Sequence, residues 1–154
     1  MTYYLEDFTV GRVFELGSKT MTSAEIIEFA SEFDPQPMHL SEEAGKASIL
    51  GGLAASGWHT CSVMMKMIAD AYVSDSSCQG SPGIEFVEWK KPVLAGDTLA
   101  GRSTIEDARR MRSRPGYGIV KIANEMKNQR GEIVCLCTLS IIFAARDNHE
   151  GAAQ

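Results

Sequence analysis

Hydrophobic and polar positions change their period once along this chain, from helical spacing before about residue 73 to alternation after about residue 83. In TSAEIIEFASEF, Ile26, Ile27, Phe29, Ala30 and Phe33 form one helical stripe. Thr22, with Glu25 three residues on, makes a capping box at its start. The Asp34–Pro35 step ends this helix, because a residue before proline is pushed out of the α region. A short helix is predicted over 42–47 with Ser41 as N-cap. Gly51 and Gly52 then break the chain, and Ser56 reads as the N-cap of a long helix from Gly57 to about Val73. Trp58, Cys61, Met64, Met65, Met67, Ile68 and Tyr72 make that helix apolar nearly all round, the pattern of a helix buried on most sides.

The alternating half predicts strands over 83–91, 97–108, 116–127 and 131–144. In the last, Ile133, Cys135, Cys137, Leu139, Ile141 and Phe143 share one face. LAGD (94–97) and NQRGE (128–132) read as the turns between strands, and 74–83 as a loop that holds Cys78. Met1–Leu16 carries no recognisable chemistry, and the polar tail 147–154 reads as disordered, its His149 without a function. One long helix followed by an antiparallel sheet able to wrap it is an α+β arrangement. With no repeat or linker, a single domain over 1–154 is expected.

Composition narrows the class. With 154 residues, 44% apolar and 23% charged, the chain is one soluble globular domain. A formal charge of −5 argues against a broad nucleic-acid or anionic-membrane surface. No apolar run has bilayer length and MTYYLEDF lacks a signal-peptide layout, so a cytoplasmic protein is expected. Cys135 and Cys137 stand two apart on a strand with no second Cys/His pair nearby, and read as core residues rather than metal ligands.

Chemistry concentrates in two stretches. FDPQPMHLSEE sets Asp34 and His39 five residues apart with Pro35 and Pro37 between them. Carboxylate and imidazole suit proton transfer near neutral pH. A straight polyproline stretch would hold them about 15 Å apart at roughly 3.1 Å per residue, so the loop must bend for them to act together. Without that bend, Asp34 is a turn-former and His39 a surface residue. AASGWHT opens the long helix with free N–H groups at its positive end and a glycine that lets a carbonyl approach, a setting for an oxyanion. The alternative is simply a tight entry to a packed helix. His59 in the first turn reads as a hydrogen-bonded structural residue. Arg109, Arg110, Arg112 and Arg114 near one strand end, with Lys90 and Lys91 on another strand, form a basic patch, suited to phosphates or merely solvated.

With both stretches in view, the chain resembles the MaoC-like dehydratases, the group that includes the (R)-specific enoyl-CoA hydratases. Their motif, approximately Gly-Asp-x-Asn-Pro-(Ile/Leu)-His, is similar to FDPQPMH, with Asp34, Pro37 and His39 on matching positions. GGLAASGWHT is similar to the family's glycine step into its helix, EFVEWKKPVLAGDTLAGRSTI to its strand segment and NQRGEIVCLCTLSIIF to its closing hairpin. Phe33 and Gln36 depart from the family's glycine and asparagine.

The resemblance implies a hot-dog fold, an antiparallel sheet wrapped around one long central helix. It implies a hydro-lyase that hydrates trans-2-enoyl-CoA or dehydrates 3-hydroxyacyl-CoA. Asp34 and His39 would be the acid/base pair and the Gly57 backbone N–H the oxyanion donor, with Ser56, Trp58, Arg112 and Arg114 as substrate contacts. No metal or bound cofactor is implied, since coenzyme A enters as part of the thioester. A homodimer with the pocket near its boundary is also implied, with neither nucleic acid nor membrane as a partner. Two other readings share the helix-end site: a hot-dog thioesterase and a non-catalytic acyl-CoA-binding subunit. Thioesterases of this fold usually place a carboxylate on or near the long helix, and here none precedes Asp70.

Overall fold

The structure is a computed structural model and describes residues 1–151 of the chain. Five strands, β1 (Val13–Thr20), β2 (Cys78–Trp89), β3 (Thr98–Arg110), β4 (Tyr117–Lys127) and β5 (Ile133–Ala144), form one sheet in the order β1-β3-β4-β5-β2. Every pairing is antiparallel. Four helices accompany it: α1 (Ser23–Phe33), α2 (Glu42–Ala47), α3 (Gly57–Ile68) and α4 (Arg146–Gly151). The α+β class and the sheet around one helix are as the sequence implied.

Central β4 shows why alternation was a sound guide. Its residues alternate strictly between buried and half-buried from Tyr117 to Lys127. Met64, Met67 and Ile68 of α3 join Ile105, Val120, Ile122 and Phe143 in one core. An aromatic group closes the core, with Phe8 stacked on Phe143 at 4.1 Å and Phe14 4.5 Å from Tyr72. The Tyr72 hydroxyl donates to Ser103 at 3.1 Å, and Ser103 donates to Asn124 at 2.6 Å, so the buried phenol is satisfied. Cys135 and Cys137 are buried, as expected of core residues.

Several elements differ from the sequence reading. β1 was not predicted, because only Phe14 and Leu16 of its eight residues are buried and its register slips between Leu16 and Ser18. β2 begins at Cys78 rather than near 83, crossing bulges on either side of Gly80 and Gly83. An edge strand tolerates such bulges, and Pro82, because one side needs no ladder partner. The long helix gives way after Ile68 to a wider π-helical turn over Ala69–Val73. It is not buried all round: Trp58 and Met65 are exposed. Residues 146–151 are helical rather than frayed, with the backbone N–H of Arg146 donating to Glu6. Positions 152–154 of the expected tail lie outside the described residues.

The segment between α1 and α3 is fastened to the sheet by the β2–β3 connection. The Ala55 N–H donates to the Val93 carbonyl at 2.8 Å, and the Ala95 N–H to that of Leu53 at 2.9 Å. The turn at 94–97 is held by Asp97, which accepts from the Leu94 N–H at 2.9 Å, with Gly96 at φ 91°. Gly45 lets α2 lie directly on this segment: a Cβ there would meet the Gly52 carbonyl oxygen at 2.2 Å.

Candidate active site

Asp34 stands just past α1, whose last turn it closes by donating its backbone N–H to Ala30 at 2.9 Å. Pro37–His39 then curl into a 3-10 turn. That turn supplies the bend the motif needed. His39 Nε2 lies 3.6 Å from Asp34 Oδ2, and both side chains are largely buried.

Each group is oriented by a named neighbour. The Ser56 hydroxyl donates to Asp34 Oδ2 at 2.7 Å, and the Gln36 amide to Oδ1 at 2.7 Å. The hydrogen bonds from Ser56 first and then Gln36 hold the Asp34 carboxyl below its ordinary value against partial burial. Asp34 is therefore ionised at neutral pH. His39 Nδ1 lies 2.6 Å from the Ala54 carbonyl oxygen. A carbonyl only accepts, so Nδ1 carries a proton, and in the neutral ring the lone pair is on Nε2, the nitrogen facing Asp34.

The two departures from the family motif resolve differently. Phe33 turns outward, exposed, with its ring 5.1 Å from Phe29. It does not touch the pair. Gln36, one methylene longer than asparagine, still reaches the carboxylate.

A cavity of about 220 Å³ opens beside His39. Ala54, Ala55, Gly57, Thr60, Trp89 and Val93 are among its walls, so the first turn of α3 faces the same space as His39. Ser56 is the N-cap of α3, yet its side chain does not cap it, because the hydroxyl is committed to Asp34. The first-turn N–H groups of α3 are thus not taken by an N-cap side chain. Asp34 adjoins this space through His39, 3.6 Å away.

These side chains fall inside a recognised domain. Residues 7–126 match the model of the MaoC like domain, most of the chain. The chain belongs to the MaoC-like dehydratase family. Its structure is similar to the MaoC-like dehydratase of Rhodospirillum rubrum, with a TM-score of 0.86 and 37% identity over 94% of this chain and 98% of that one. It is 30% identical over 140 residues to the YdeM protein of Bacillus subtilis (strain 168), covering 90% of this chain and 97% of that protein. The R-hydratase PhaJ1 of Pseudomonas aeruginosa shares the hot-dog fold, with a TM-score of 0.76 at 18% identity over 94% of this chain and 88% of that one.

Within this MaoC-like domain the expected site residues separate into groups. Asp34, His39 and Gly57 come together. Ser56, expected to touch substrate, is fully buried behind the pair with its hydroxyl on Asp34. Trp58 stands outside the cavity, edge-on to Trp89 at 5.4 Å. Arg112 and Arg114 lie on the exposed β3–β4 connection, at the opposite end of the sheet. The register makes this plain: Arg110, Gly118, Phe143 and Cys78 lie across one end, and Gly101, Met126, Cys135 and Trp89 across the other.

Glycine at 57 also has a reason the sequence did not give. A Cβ there would lie 2.4 Å from Trp89 Cε2, so the indole fills the space a side chain would take. His59, read as hydrogen-bonded, is instead stacked on Phe29 at 4.6 Å, and its buried Nδ1 has no partner among the described residues. Sequence reasoning missed Trp89 as a cavity wall and read Lys91 only as part of a basic patch. Their only signal was an aromatic and two lysines ahead of Pro92 at the end of a strand pattern. Among the described residues no cluster of His, Cys, Asp or Glu is arranged to hold a metal, and no helix is long and apolar enough to cross a membrane.

Proposed function

We propose that this protein is a hydro-lyase that adds water reversibly to a trans-2-enoyl-CoA, giving the 3-hydroxyacyl-CoA. The observation that carries the reading is that His39, paired with the Asp34 carboxylate at 3.6 Å, lines the same cavity as the first turn of α3. At 3.6 Å, Asp34 Oδ2 and His39 Nε2 are near enough for both to contact one water once the pair parts slightly. His39 Nε2 takes a proton as the water oxygen bonds to C3, while Asp34 accepts the other hydrogen and fixes its direction. Electron density shifts from the C2–C3 double bond toward the thioester oxygen, which the Gly57 N–H and the α3 dipole stabilise. The pair then returns the proton at C2, so no net proton is consumed. Asp70, the first acid on α3 or its extension, pairs with Lys66 at the far end and offers no carboxylate for thioester hydrolysis.

We extend the proposal to a homodimer. β2 is an unpaired edge that exposes Ile84 and Phe86. Antiparallel pairing of β2 with a second copy sets the Cys78 end of one chain beside the Trp89 end of the other. Arg112 and Arg114 then approach the coenzyme A moiety from the second copy, and Lys91 from the same chain.

The test follows enoyl absorbance and free thiol separately during incubation with enoyl-CoAs. Loss of absorbance without thiol is expected. Thiol release would replace the reading with thioester cleavage, and neither signal would leave a binding subunit. Asp34→Asn and His39→Ala should each slow hydration by about 10²–10⁴-fold while the chain stays folded. Near-wild-type turnover in either would overturn the assigned roles.

A further inference from the structure

We infer that the Trp89 indole sets the acyl-length limit of the cavity and restricts the protein to short-chain acyl thioesters. This rests on the thioester reading of the site but not on which bond the protein makes or breaks. Trp89 is the last residue of β2, opposite Cys135 of β5, and its ring is the largest side chain on the cavity wall. Three of its ring atoms, Cε2, Cδ2 and Cζ2, occupy the place of a Gly57 Cβ, at 2.4, 2.7 and 2.7 Å from that position. The indole is thus seated directly on the first turn of α3, beside the N–H groups that would meet the thioester oxygen. Trp58 backs it from outside at an interplanar angle of 81°.

The space left is small. A closed apolar cavity of about 150 Å³ takes up benzene, six non-hydrogen atoms, so about 220 Å³ corresponds to roughly nine. A four-carbon acyl group with its carbonyl oxygen and sulfur has six non-hydrogen atoms. A ten-carbon chain has twelve, more than the cavity encloses, and its end must pass the indole. Val93, Ala55 and Thr60 are core residues, 4%, 7% and 2% exposed, and are fixed by the sheet and by α3. Trp89 is 44% exposed. Its truncation widens the opening of the cavity instead of leaving a closed void.

The experiment measures binding of saturated acyl-CoAs of four, six, eight and ten carbons by calorimetry, because these cannot be hydrated. Each chain is compared with the four-carbon ligand, which cancels the contribution of the shared coenzyme A. Wild type should bind the ten-carbon ligand at least ~10-fold more weakly than the four-carbon one, the lower end of what one methylene is worth in an apolar pocket. Trp89→Ala should flatten or reverse that order, and Trp89→Leu should fall between them. Wild type binding all four lengths equally overturns the inference, as does a folded variant at Trp89 that keeps the wild-type profile.

Hydration of the matching enoyl-CoAs is measured in parallel. A length limit that shifts with Trp89 but brings no hydration refutes the hydro-lyase reading and leaves the size limit standing. Hydration with a length profile indifferent to Trp89 does the reverse.

Discussion

Ser56→Ala isolates the role of a single buried hydroxyl. In most helices the N-cap serine accepts from the first-turn N–H groups, and its loss costs about 0.5–2 kcal/mol at any pH. Here the side chain makes no cap bond; it donates at 2.7 Å to the Asp34 carboxylate, and the serine is completely buried. The cost of the substitution therefore depends on the charge of Asp34. A hydrogen bond to a charged group contributes about 1.5–3 kcal/mol, and about 1.36 kcal/mol corresponds to one pKa unit. If that energy belongs to the ionised form, losing the Ser56 bond raises the Asp34 pKa in the variant.

The sign follows from linkage. Asp34 is depressed below its ordinary value of 3.8 in the folded chain, so its stabilising share is complete above that value and lost as pH falls through the depressed one. The variant should thus be destabilised near pH 7 and converge on wild type at low pH, as read from denaturant melts at both. The acid limb of its pH–rate profile should also move to higher pH. A destabilisation equal at both pH values, with an unmoved acid limb, would mean that Ser56 serves the helix and not the carboxylate.

Gly57→Ala should destabilise by about 1–3 kcal/mol and change the near-ultraviolet tryptophan signal, because a methyl group 2.4 Å from Trp89 Cε2 must displace the indole. An unchanged melt and spectrum would show that the ring moves aside freely. His59 supplies a second pH handle, since burial holds its imidazole below the ordinary 6.5, with Glu25 opposing and Lys19 adding to the shift. Between the lowered value and 6.5 the unfolded chain binds more protons, so stability is lost as pH falls through that window. His59→Phe, which keeps the stack on Phe29, should flatten this slope in thermal melts; an identical slope would assign it to another group. Arg112→Ala with Arg114→Ala should raise KM for the enoyl-CoA and leave kcat unchanged, and an unchanged KM would remove both from the substrate path.

What could be read from the sequence divides along physical lines. β4 was legible because it buries one face fully and alternation is the direct consequence. β5 was legible because its Cys135–Phe143 face is apolar throughout, although Val134 and Thr138 on the other face are buried too. β1 was not, because a bulged edge strand with two buried residues leaves no periodic trace. The pair at 34 and 39 was legible as chemistry, but its convergence depends on the 3-10 turn at Pro37–His39. That turn is fixed partly from outside, by the Ala54 N–H donating to the Met38 carbonyl at 3.2 Å. The true partner of Ser56 was hidden for the same reason: a bond between residues 34 and 56 spans two turns and a helix. Trp89 was hidden further still, because its contact with Gly57 joins a strand to a helix 32 positions away.

The sequence contains two tryptophans, and the fold puts both at one place, 5.4 Å apart at the mouth of the cavity. All tryptophan emission from this protein therefore originates beside the site, with no background from a distant core. Binding of an acyl thioester would perturb that emission directly, while the enoyl chromophore reports the bond change at its own wavelength. Mixing the two in a stopped-flow instrument would time arrival and reaction separately in the unlabelled native chain.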